Sequence, residues 1–141
     1  MKTLFRFLLL TGGLLSAHAA MAQVVIVAGA KSPATVLTKD QAAALFLGKS
    51  TQLPGAGIPV LIDQVESVDA RQVFYTKVTE KTQAQVKAVW ARLVFSGKGS
   101  PPKEVSSSAE VKKMVNANPD AVGYIEKSAV DSTVKVLFSV D

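Results

Sequence analysis

Ser67 and Arg71 stand four positions apart, just after the apolar run Ile58-Pro59-Val60-Leu61-Ile62. The chemistry they offer is anion binding. A serine that caps a helix start and an arginine one turn further in form an anion seat, because free backbone N–H groups and the helix dipole both favour negative charge there. Asp63, Glu66 and Asp69 crowd the same corner with like charge. Ser32, in the loop after the first apolar run, offers a further hydroxyl to a ligand at the sheet's edge. Gly97-Lys98-Gly99 lacks the spacing of a nucleotide phosphate loop and reads as a flexible turn.

Catalysis has little to work with. The single histidine is His18, close to the N-terminus, and cysteine is absent. Beyond residue 22 there is thus no histidine-based triad, no thiol nucleophile and no ordinary zinc ligand set. Glu66 and Asp69 read as solvated helix-start carboxylates, since no partner nucleophile is visible. The expectation is a protein that is not an enzyme and that needs no cofactor or metal.

The elements that must position the corner follow from periodicity. Val24-Val25-Ile26-Val27-Ala28 is a continuous apolar run, as in a strand covered on both faces. Thr38-Lys39-Asp40-Gln41, Thr82-Gln83-Ala84-Gln85 and Ser107-Ser108-Ala109-Glu110 are capping boxes that open helices. The first helix buries Ala42, Leu45 and Phe46. The second buries Val86, Val89, Trp90 and Leu93, and the third Val111, Met114 and Val115. Ser67 is expected to cap one more helix, with Ala70, Val73, Phe74 and Val78 inward. Ile58–Ile62, Ala121–Ile125 and Thr133–Phe138 read as strands, and Lys103-Glu104-Val105 as a short one. Alternating strands and helices imply an α/β lobe with a largely parallel mixed sheet flanked by helices.

Residues 1–22 read as a signal peptide. Lys2 and Arg6 precede the short apolar core Leu8–Leu15, and Ala20-Met21-Ala22 fits the cleavage pattern. The expected cut is near Ala22, with Ala17-His18-Ala19 offering an alternative after Ala19, and it leaves one exported domain over residues 23–141. The formal net charge of +5 includes Lys2 and Arg6, so the remaining balance is modest and does not call for nucleic acid.

Several stretches occur in an order that resembles a known family. They are Leu37-Thr38-Lys39-Asp40-Gln41, Leu45-Phe46-Leu47-Gly48-Lys49, Ser67 with Arg71 and Phe74, Trp90 followed by Phe95-Ser96-Gly97-Lys98-Gly99, Pro101-Pro102, and Ala121-Val122-Gly123-Tyr124-Ile125. Together they are similar to the exported, phosphate-transporter-type substrate-binding proteins of the type II periplasmic-binding-protein superfamily. The resemblance implies a periplasmic-binding-protein-like lobe that holds phosphate or a related oxyanion for an ABC importer. It points to Ser67 as a ligand contact, with Arg71 as a substitute charge from the helix beside the Ser32 hydroxyl noted above, and to an ABC membrane component as partner. Only Ser67 matches the family's Ser-Gly-Thr turn. Val68 stands where glycine is expected, Asp69 near the threonine and Asp63 near the arginine.

Those acidic departures also suit a second reading. In it the lobe is an envelope interaction or sensory module without its ligand, bound to another envelope protein or to its own copy. A homodimer is one way for a second lobe to arrive.

Overall fold

The computed structural model describes residues 23–140, so the expected signal peptide and its cleavage site lie outside the described residues. Strand β1 (Val24–Gly29) is buried along its whole length. Its alternate residues serve two cores: Val24, Ile26 and Ala28 enter one cluster, Val25 and Val27 the other. This is why the run carries no polar alternation.

The helices begin where their caps place them. Helix α1 (Lys39–Phe46) opens on Thr38, whose Oγ1 accepts from Gln41 N–H at 3.1 Å while Gln41 Oε1 accepts from Thr38 N–H at 2.9 Å. Strand β2 (Val60–Gln64) leads into helix α2 (Asp69–Phe74), which continues as a π-helical turn, Tyr75–Thr79. Glu80 ends that turn in the left-handed region, at φ 57°. Helix α3 (Gln83–Phe95) opens on the reciprocal Thr82–Gln85 cap. Strand β3 (Lys103–Val105) is followed by helix α4 (Ser108–Ala117), where Ser107 Oγ accepts from Glu110 N–H at 3.2 Å. Strands β4 (Ala121–Glu126) and β5 (Val134–Val140) complete the chain.

The five strands form one mixed sheet in the order β3-β2-β4-β1-β5. Pairing is parallel across β3-β2-β4 and antiparallel across β4-β1-β5. The expected α/β lobe is therefore present, with parallel pairing confined to one half of the sheet. One face packs on α1, α2 and the π-helical turn through Phe46, Phe74, Tyr75 and Tyr124. The Phe74 and Tyr124 rings stack with centroids 4.1 Å apart, and Phe46 meets Phe74 edge-on at 4.7 Å. The other face packs on α4 through Ile62, Val111, Val115 and Ile125. Gly123 lets that helix approach, since a Cβ there would lie 2.6 Å from Val111 Cγ1.

Helix α3 departs from expectation. Of its apolar stripe only Val86 is buried; Val89, Trp90 and Leu93 are half-buried. The helix rests on the π-helical turn and Gly48 rather than on the sheet, with Trp90 Nε1–H donating to the Phe46 carbonyl at 2.9 Å. No helix among the described residues is long and apolar enough to cross a membrane.

Candidate functional site

Asp63 is the centre of the corner, at the penultimate position of β2 and buried. The parallel register places it beside Glu104 of β3. Two neighbouring carboxylates need a cation, and Arg71 supplies it from the first turn of α2. Arg71 Nη1 donates to Glu104 Oε1 at 2.7 Å and to the Gln64 carbonyl at 2.8 Å, and it lies 3.6 Å from Asp63 Oδ2. The guanidinium carbon also sits 5.5 Å from the centroid of the Tyr75 ring. Only 9% of the Arg71 side chain is exposed, so this is a largely desolvated charge already balanced by its own protein.

The Asp63 carboxylate is equally occupied. Tyr75 Oη–H donates to Oδ2 at 2.5 Å, Tyr124 Oη–H donates to Oδ1, and Gln64 N–H donates to Oδ1 at 2.8 Å. Burial raises the Asp63 pKa above the usual carboxylate value, against the opposing pull of these donors and of Arg71. Burial, and then the charge of Asp63, pushes both tyrosine hydroxyls far above their ordinary range. For Arg71, burial acts downward, but the bond to Glu104 and the charge of Asp63 outweigh it and hold the guanidinium ionised. What the corner does chemically is hold a carboxylate: two phenols, an amide and a guanidinium surround the oxygens of Asp63.

The proposed ligand residues are dispersed. Ser67 is exposed in the turn before α2 and makes no side-chain hydrogen bond among the described residues. The helix cap is Val68, not Ser67. Val68 N–H donates to the Val65 carbonyl at 3.0 Å, and this turn delays the helix start to Asp69. Arg71 is present at the corner but turned inward.

Ser32 is at the other end of the sheet. Because β1 runs antiparallel to β4, Ala28 pairs with Val122 at the start of β4, beside Val60 at the start of β2. Ser32 thus follows β1 toward the end where β2 begins, while Ser67 and Arg71 follow the end where β2 finishes. Its Oγ donates to the Pro119 carbonyl at 2.9 Å and accepts from Ala34 N–H at 3.2 Å. This strand direction separates Ser32 from Ser67 and Arg71.

Tyr75, Tyr124 and Glu104 were not legible as site residues in the sequence. Their only signals were a polar residue, Asp63, at the end of an apolar strand and a tyrosine, Tyr124, in a buried one. Beside the network lies a groove of about 450 Å³, lined by Asp63, Arg71 and Tyr75 together with Trp90, Val94 and Phe95. Among the described residues no group of acidic or histidine side chains is placed to hold a metal ion.

No protein-family model matches the chain, and no curated protein does. Solved structures do share its fold. A protein from Clostridium perfringens, assigned as a phosphate ABC transporter substrate-binding protein and solved with bound phosphate, superposes with a TM-score of 0.65 at 20% identity, over 82% of this chain and 44% of that one. An ABC-type phosphate transport receptor from Vibrio cholerae gives 0.64 at 22% identity, over 82% and 45%. PstS from Borrelia burgdorferi gives 0.59 at 16% identity, over 82% and 46%. The chain spans less than half the length of each of these structures. Its α/β fold is shared with part of each of these solved structures.

Proposed function

We propose that this chain is an exported binding-protein lobe, freed of its leader near Ala22 and acting in the periplasm beside ABC-type uptake. In this reading the anion's place at the β2–α2 corner is held by Asp63. The lobe then serves as a docking or sensing module for another envelope protein rather than as a carrier of phosphate, and it has no enzymatic role. The observation that carries this reading is the ion network in which Arg71 is shared between Asp63 and Glu104.

A second reading keeps the transport role, with phosphate or a related oxyanion held by Ser67 and Arg71. Similarity to a structure solved with bound phosphate favours it. Such an anion would compete with Glu104, whose side chain is 53% exposed, for Nη1 of Arg71, or meet the guanidinium at Nε, which has no hydrogen-bond partner among the described residues.

Isothermal titration with phosphate, sulfate and arsenate separates the two readings. The expected result is no saturable heat from any of the three up to about 1 mM. A carrier working at micromolar affinity would be saturated there and stabilised by about 4 kcal/mol. A saturating phosphate isotherm, lost on Ser67→Glu, would restore the transport role.

A further inference from the structure

Among the described residues nothing covers the outward face of α3, and its composition is unusual for a surface helix. Ala84, Ala88, Ala91 and Phe95 fall at helical spacing along the exposed side, with Val94 beside them. Phe95 is 95% exposed and Val94 48%. Solvated helix faces ordinarily carry charge at their centre. Here the apolar stripe is central, and Lys87 and Arg92 flank it on either side.

Along the helix and the loop that follows it, the charge has one sign. Lys81, Lys87, Arg92, Lys98 and Lys103 occur between positions 81 and 103 with no acidic residue among them. The rest of residues 23–141 is net acidic. Among the described residues none of these five side chains forms an ion pair. Glu104, next in sequence, is taken up by Arg71.

We propose that the outer face of α3, with the loop to β3, docks on an anionic lipid surface. Phe95 and Val94 enter the interfacial layer, while Lys87, Arg92, Lys98 and Lys103 reach the phosphates of the headgroups. Long basic side chains flanking an apolar stripe are suited to this, because their stems lie along apolar surface while their charges stay at the headgroups. Anionic headgroups attract such a cluster, and the attraction fades within a Debye length. A second copy of the chain fits the face less well, since two-fold pairing of the helix would bring the same basic flanks together. The face borders the groove beside the Asp63 network, but the test stays separable from the phosphate question, because it reads vesicle binding and its variants leave the side chains of that network unchanged.

The test is vesicle co-sedimentation of the full chain, with every variant on the same background so that any contribution of residues 1–22 is common to all. The probes are phosphatidylcholine vesicles and vesicles of phosphatidylcholine and phosphatidylglycerol in equal parts. Wild type should bind the anionic vesicles, and raising sodium chloride from about 0.05 to about 0.5 M should release it. Phe95→Ser should weaken binding about tenfold, as loss of one inserted aromatic side chain implies. Lys87→Glu with Arg92→Glu should weaken it by at least as much. These positions are exposed, and unchanged circular dichroism confirms the fold. Wild type left in the supernatant overturns the proposal, as does equal binding by wild type and variants or equal binding to neutral vesicles. Self-association abolished by Phe95→Ser would assign the face to a second copy instead.

Discussion

Asp63→Ala is expected to destabilise the protein by about 3–5 kcal/mol, the cost of breaking a buried ion pair from one side. For a domain of this size that lowers the melting temperature by roughly 10–20 °C. The loss has three named parts. Arg71 keeps only Glu104 and the Gln64 carbonyl, Tyr75 loses its acceptor, and Tyr124 loses the same carboxylate. Each buried donor left without a partner adds its own desolvation penalty. Asp63→Asn keeps the shape and one acceptor oxygen, so it should cost visibly less. Urea denaturation of the three proteins checks the order. If Asp63→Ala falls within about 1 kcal/mol of wild type, the network carries little of the fold.

Both tyrosines of the chain belong to this network, which gives a clean optical readout. Their folded pKa values lie far above the ordinary 10.0, pushed there by burial and then by the charge of Asp63. Their contribution to stability is therefore complete below pH 10 and is lost as the pH rises toward the folded values. In an alkaline titration followed at 295 nm, tyrosinate should stay absent while near-ultraviolet circular dichroism is native. It should then appear for both residues together as the fold is lost. One tyrosine ionising near its ordinary pKa with the fold intact would place that residue outside the network.

Much of the architecture was legible in local chemistry. The unbroken apolar run of β1 marked a strand buried on both faces, and the Thr38, Thr82 and Ser107 caps stood at the true helix starts. Strand direction was not legible. Alternating strands and helices suggest crossovers, but nothing local fixes that β1 runs against β4, and this moved Ser32 to the far end of the sheet. Periodicity showed which residues of α3 share a face, not whether a neighbour covers it, so Val89, Trp90 and Leu93 were expected deeper than they lie. At the corner, three nearby carboxylates were visible, and Arg71 was identified. The partner that decides the matter, Glu104, arrives from β3 through parallel pairing, a contact that sequence spacing does not encode.

In the reading proposed above, Asp63 occupies an anion's place. The most direct measurement is the melting temperature of wild type and Asp63→Ala with increasing phosphate, against chloride at matched ionic strength. Wild type should not respond. The variant, with Arg71 and two phenols left around an empty position beside an open groove, should gain several degrees at about 100 mM phosphate, as expected for a site of millimolar affinity. A wild type stabilised by phosphate beside a variant that does not respond would contradict the claim, and would return the corner to a ligand that comes from outside.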